Sequence, residues 1–145
     1  MSLPPPLPGK WYLAGPMSGR PQFNIPAFDA AARILRAQGW DIVSPAELDD
    51  SRIRSACLAS PDGAPTADTH GGGTWGDFLS RDVKIVSDEV VGIILLDEWW
   101  TSRGARLEAF VGILCSKQFL RYYWEEEAVA ATSANTVKCH LRCAL

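Results

Sequence analysis

The run Val90-Val91-Gly92-Ile93-Ile94-Leu95-Leu96 restricts the possible folds of this chain more than any other feature. It is continuously apolar, without the alternation of a strand that has one wet face. It therefore reads as a strand covered on both sides, the kind found in parallel sheets. The run ends in Asp97-Glu98-Trp99-Trp100. A helical pattern follows from about Ser102 to Ser116, with Leu107, Phe110, Val111 and Leu114 as its apolar residues. Ser102 stands where an N-cap belongs. A buried strand leading into a helix implies crossover connections, and so a sheet with helices on its faces.

The rest of the chain repeats the alternation. Trp11-Tyr12-Leu13-Ala14 is a first strand that ends at Gly15-Pro16. A helix begins near Asn24, tolerates Pro26 in its first turn, carries Phe28, Ala31, Ala32 and Leu35, and ends at Gln38-Gly39. Trp40-Asp41-Ile42-Val43 is a second strand, stopped by Ser44-Pro45. Trp75 to Val86 is helical, with Trp75, Phe78, Leu79, Val83 and Val86 on one side, and Gln118 to Trp124 is a fourth strand. Residues 51–74 contain Pro61, Gly63, Pro65 and Gly71-Gly72-Gly73, which predicts a flexible, poorly ordered loop insertion, either a lid or an inert one. Residues 1–10 read as an extended arm and 125–145 as a terminal helix or tail. The expected fold is α/β: a three-layer α/β/α sandwich, flavodoxin-like or Rossmann-like, with a mostly parallel sheet of four or five strands in one domain over 11–124.

Composition narrows the partners. The chain has 145 residues, 47% hydrophobic and 21% charged, values of a single globular domain. A net charge of −3 offers no footprint for duplex nucleic acid. The longest apolar run is far short of a membrane span, and Met1 to Pro8 lacks the basic and apolar regions of a signal peptide, so a cytoplasmic location without a membrane partner is expected. Cys139-His140-x-x-Cys143 brings three soft donors together, but the fourth ligand would have to be Cys57, Cys115 or His70, none at a familiar zinc spacing. The expectation is reduced thiols on a frayed tail, with no metal and no cofactor. The turn Gly15-x-x-x-Gly19 is neither a dinucleotide fingerprint nor a P-loop.

Chemistry-bearing residues converge on the carboxyl edge of such a sheet, where open α/β sheets bind ligands. Gly104 and Ala105 lie four and three positions before Glu108, on its own helix face. A helical side chain leans toward the N-terminus, so the Glu108 carboxyl would lie over two nearly absent side chains, near free N–H groups. Glu108 is then a pocket carboxylate, unless it is one more solvated surface charge. Asp82 sits on the margin of the Trp75–Phe78 stripe, either exposed or with its pKa pushed upward. Tyr12 on the first strand is a core residue or part of the site. Asp97 follows the third strand, and Ser102 both caps its helix and lies at a terminus suited to a hydroxyl or phosphate.

The motifs Tyr12-Leu13-Ala14-Gly15-Pro16-Met17-Ser18-Gly19, Asn24-x-Pro26-Ala27-Phe28, Gly39-Trp40-Asp41-Ile42-Val43-Ser44-Pro45-Ala46-Glu47, Trp75-Gly76-Asp77-Phe78-Leu79-x-x-Asp82 and Trp99-x-x-Ser102-Arg103-Gly104-Ala105-Arg106-x-Glu108 together resemble a phage- and prophage-encoded family of short uncharacterised domains. That family in turn resembles the nucleoside 2-deoxyribosyltransferases and related nucleotide N-glycosidases. The likeness covers residue 11 to about 123, apart from 51–74. It implies a cytoplasmic enzyme (in the host cytoplasm if phage-encoded) acting on a small-molecule nucleoside or nucleoside 5′-monophosphate, with Glu108 as nucleophile, Asp82 as the acid near the base and Tyr12 hydrogen-bonded to the nucleophile. The substrate-binding set it implies is Gly15, Pro16, Met17, Ser18, Asn24, Asp97, Trp99, Ser102, Arg103 and Gly104. Ser116-Lys117-Gln118 departs from the Gly-x-Pro that usually follows the family's Glu helix. On this reading Asp82 has a raised pKa and Glu108, near the helix terminus, does not. Trp99-Trp100 beside the pocket, together with the resemblance, predicts a homodimer or higher homo-oligomer. The competing expectations are a non-catalytic nucleotide-binding module of the same fold, and cleavage of a nicotinamide dinucleotide by the same Glu.

Overall fold

Every residue from Trp11 to Ala14 is apolar or aromatic, and in the strand they form, β1 (Lys10–Ala14), all four are buried. The computed structural model describes residues 5–144. Beside β1 lie β2 (Asp41–Val43) on one side and β3 (Gly92–Leu95) on the other, followed by β4 (Gln118–Tyr123) and β5 (Ala128–Ala131), in the order β2-β1-β3-β4-β5. The first four strands of that order run parallel, and β5 pairs antiparallel with β4. This is an α/β protein with a five-stranded, mostly parallel sheet, compatible with the expected Rossmann- or flavodoxin-like layering.

Side chains alternate across the sheet and feed two cores. Trp11 and Leu13 join Phe28, Ala31, Ala32 and Leu35 of α1 (Ile25–Ala37) on one face. Tyr12 and Ala14 join Val86 of α4 (Trp75–Asp88), Ala105 and Ala109 of α5 (Arg103–Leu114) and Val137 of α6 (Ala134–Ala144) on the other. Among the described residues no helix is long and apolar enough to cross a membrane.

Two regions depart from the expectation. The segment 51–74, expected as an irregular loop, carries α2 (Ser51–Leu58) and the short α3 (Ala67–His70). The Asp50 side chain caps α2, accepting from the Ile53 N–H, and Thr66 and Thr69 close a capping box on α3. Only the Gly- and Pro-rich stretches between and after them are irregular. The stretch expected as a terminal helix or tail holds, over its described residues 125–144, a fifth strand as well as a helix, and that helix covers Trp99 and Trp100: His140 stacks at 5.7 Å and 4.9 Å from their rings. Trp99 is 2% exposed, so the adjacent tryptophans do not form the open patch on which an oligomer was expected. The cysteines are all unbridged, Cys57 buried and the other three exposed.

Gly92 opens the central strand where it passes between two neighbours. A Cβ there would lie 2.3 Å from Trp11 Cζ3 and 2.7 Å from the Gln118 carbonyl oxygen, both on strands hydrogen-bonded to β3. Neither the indole packed in the core nor the backbone carbonyl can move aside cheaply. Gly92→Ala is therefore expected to lower stability by about 3 kcal/mol, read from the urea midpoint at constant slope. An unchanged midpoint would remove this account of the glycine.

Candidate active site

The strand order reverses direction at β1, with β2 on one side and β3 on the other. The carboxyl ends of β1 and β3 therefore part and leave a crevice. A cleft of about 540 Å³ lies there, within the range of small-molecule sites. Its floor comes from Tyr12 of β1 and Glu108 of α5. Its sides come from Gly15, Met17, Ser18 and Gly19 after β1, from Thr101, Ser102, Arg103, Gly104 and Ala105 at the start of α5, and from Phe78, Leu79, Arg81 and Asp82 of α4. Arg20 binds the two loops that frame it, donating to Glu98 Oε2 at 2.8 Å and to Thr101 Oγ1 at 3.1 Å.

α5 begins as its sequence dictates. The Ser102 hydroxyl accepts from the Ala105 N–H at 3.2 Å, which satisfies one free donor of the first turn. Gly104 leaves the wall open: a Cβ there would meet nothing closer than Ser102 Oγ at 3.9 Å. One turn on, Glu108 points into this gap and is only 6% exposed.

The floor is polar and incompletely paired. Tyr12 lies beside Glu108 and Asp82, close enough for each to act on the others' ionisation. Even so, neither the Tyr12 hydroxyl nor Glu108 Oε2 reaches a hydrogen-bond partner of acceptable geometry among the described residues. Proximity without a satisfied hydrogen bond leaves two buried polar atoms, each destabilising by about 1–3 kcal/mol unless a ligand or water completes it. Burial pushes the Glu108 carboxyl well above its usual range, and the Asp82 charge adds to the effect. Burial also raises Asp82, against the opposing pull of Arg81. The Tyr12 hydroxyl is raised well above its usual value by burial and by both carboxyls.

The expectation of an unshifted Glu108 is thereby corrected. Glu108 sits on the second turn of α5, beyond the free N–H groups, and the helix terminus does not offset its loss of water. Two raised carboxyls beside one another titrate as a pair, and a single proton shared between them is the expected state over part of the pH range.

The structure brings together Tyr12, Asp82, Glu108, Gly15, Met17, Ser18, Ser102, Arg103 and Gly104 on one cleft. Four expected residues lie elsewhere. Pro16 is buried under the loop, and its carbonyl accepts from Asn24 Nδ2 at 2.9 Å, so Asn24 is used to hold the turn. Asp97 turns outward to Arg121 at 3.5 Å. Trp99 is packed in the core beneath α6.

Several lining residues had not been expected. Asp49, after β2, accepts from Arg81 Nη1 at 2.7 Å, and Arg81 Nε donates to Asp82 Oδ1 at 2.9 Å. Cys57, Pro65, Thr69 and His70 come from the segment 51–74. His70 stacks on Phe78 at 5.4 Å, and the Arg103 guanidinium lies 4.8 Å from the centre of the Trp75 ring. One signal was available: an acid shortly after a parallel strand, as Asp49 is, falls at the ligand edge of the sheet.

Among the described residues no group of three His, Cys, Asp or Glu side chains stands together as a metal site. The cleft instead offers a buried carboxyl, a second carboxyl held by a guanidinium, a phenol and aromatic walls. That set suits nucleophilic and acid–base work on a small organic ligand. No curated protein matches the chain. A family model described as a domain of unknown function (DUF4406) matches residues 9–120, which span β1 through the first half of β4, and the chain belongs to that family.

Proposed function

We propose that this protein breaks the N-glycosidic bond of a (deoxy)nucleoside or nucleoside 5′-monophosphate, with Glu108 as nucleophile, and passes the sugar to water or a second base. The observation that carries the reading is the Glu108 carboxyl, buried at the bottom of the cleft with Oε2 unpartnered and Tyr12 and Asp82 beside it. A structural carboxyl would be paired, whereas one left unsatisfied in a ligand-sized cleft fits a site completed by substrate. The resemblance to the nucleoside 2-deoxyribosyltransferases supports the same three residues. We also read the sheet and its two cores as their three-layer sandwich.

In the reacting state the proton shared by the two carboxyls resides on Asp82. The Glu108 carboxylate attacks the anomeric carbon and forms an ester. The carbon–nitrogen bond breaks, its electron pair leaves with the base, and Asp82 protonates the base nitrogen. Water or an acceptor base then gives its proton to the Asp82 carboxylate, attacks the same carbon and releases Glu108. With substrate bound, the Tyr12 hydroxyl, unpartnered among the described residues, donates to the carboxylate and orients it. The exposed N–H groups of the first turn of α5, with Arg103, face the 5′ end of the sugar.

The test is incubation with a panel of nucleosides and 5′-monophosphates, with and without an acceptor base, and chromatography of the freed base. Base release that depends on Glu108 supports the reading. Tight binding of one panel member with no release in any mixture would replace it with a sequestering module.

A further inference from the structure

The guanidinium of Arg81 is fixed from three sides. Nη1 donates to Asp49 Oδ1 at 2.7 Å, Nε donates to Asp82 Oδ1 at 2.9 Å, and the group lies 5.4 Å from the centre of the Phe78 ring. All three members of the ion-pair chain are largely withdrawn from water, with side chains 15%, 30% and 16% exposed for Asp49, Arg81 and Asp82. An ion pair that is merely structural needs one carboxylate. Here a single cation is divided between two, and one of those is the proposed acid of the reaction.

We propose that Arg81, clamped between Asp49 and Asp82, is a positioning residue that sets the charge state in which Asp82 meets the substrate. The inference rests on the proposed glycosidic reaction only for its kinetic consequence, since the effect on Asp82 itself is independent of the activity. The two neighbours act in opposite senses. Arg81 favours the Asp82 carboxylate by charge and by hydrogen bond. Asp49 disfavours it by like charge, and also takes one arm of Arg81 for itself. The other titratable groups that face Asp82 are Tyr12 from β1 and Glu108 from α5; the charge of Arg81 lowers both of them as well, so the Glu108 carboxyl is followed beside Asp82 in the same titration. Without Asp49 the guanidinium would belong wholly to Asp82 and hold it ionised, unable to protonate a leaving base. Without Arg81 the buried carboxyl would keep its proton to higher pH. The clamp leaves Asp82 between these extremes, where a general acid works best.

The test is a carbon-13 NMR titration of the Asp82 carboxyl in the full-length protein, in wild type, Arg81→Gln, Arg81→Lys and Asp49→Asn. Arg81→Gln is expected to move the Asp82 midpoint up by about one pH unit, and Asp49→Asn to move it down by a smaller amount. Arg81→Lys, which keeps the charge but not the fork, is expected to fall between wild type and Arg81→Gln. On a substrate found by the panel, the basic limb of kcat/KM should follow the same order, and Asp82→Asn should remove that limb. Simple loss of structure cannot move one carboxyl in opposite directions. Shifts of the same sign, or none, in the two neutral variants overturn the proposal, and if Arg81→Gln does not fold, an Asp49→Asn midpoint at or above wild type overturns it alone. Opposite shifts in a protein that releases no base would uphold the clamp and refute the glycosidic reading.

Discussion

Glu108→Gln is expected to lose base-releasing turnover by several orders of magnitude while making the folded protein more stable at neutral pH. The first effect follows from removing the proposed nucleophile: an amide of the same shape keeps the contacts of the cleft but does not attack. The second follows from burial. The folded-state pKa of Glu108 is raised, so folding favours the protonated form. That contribution is fully present below the unfolded pKa, near 4.5, and is lost as pH rises from there through the folded value. At pH 7 the wild type therefore carries a strained carboxyl that the neutral Gln lacks, and the variant is expected to gain about 1–3 kcal/mol, a difference that shrinks toward zero near pH 4. Urea unfolding of both proteins across this range checks the sign. Turnover near wild type in the variant would end the nucleophile assignment. Equal stability at every pH would mean that the carboxyl is not desolvated as the geometry indicates.

A residue that is destabilising where it stands, yet sits on the most regular part of the fold, was legible for a simple reason. β1, β3, α4 and α5 are written in strong local signals: apolar runs, a serine cap and a helical stripe of large side chains. Once their order is read as crossovers, topology alone carries Tyr12, Asp82 and Glu108 to one edge of the sheet. What was missed lacks local signal. Ala128–Ala131 is a poor strand former, and exists as β5 because β4 offers it an edge to pair with. Gln22, Phe23 and Asn24 adopt left-handed backbone angles without a glycine among them, in a turn held by Asn24 on the Pro16 carbonyl. This is why a polar residue expected to face substrate faces the backbone instead. Asp97 was claimed by Arg121, 24 positions away, and Asp49 by Arg81, 32 away. Pairings at such range are set by the folded sheet, and nothing in either residue's own neighbourhood announces them.

The segment 51–74 is where a composition-based reading went furthest astray, and it leads to the second large effect. Replacing residues 60–72 by a short Gly-Ser linker is expected to raise KM at least tenfold and to change which bases are accepted. Pro65, Thr69 and His70 form part of the cleft wall, and Thr69 is buried beneath it. The segment is also bound to the loop after β1: the Gly19 N–H donates to the Gly63 carbonyl at 2.9 Å and the Gln22 N–H to the Ser60 carbonyl at 2.8 Å. Gly63 makes this approach possible, with φ at +68° and the position of a Cβ only 2.1 Å from the Arg20 carbonyl oxygen. Excision therefore removes a wall and loosens the loop that carries Met17 and Ser18. Loss of a stacking surface for a base corresponds to about 1–3 kcal/mol, or roughly 5- to 150-fold in affinity. His70→Ala isolates that part, because it leaves the backbone ties intact while removing the ring stacked on Phe78. The wall account expects KM to rise in both variants, more in the replacement, with kcat reduced less than KM is raised. Unchanged kinetics in a folded replacement would make the segment an inert insertion. A KM unchanged in His70→Ala but raised in the replacement would assign the effect to the loop after β1 and not to stacking on the base.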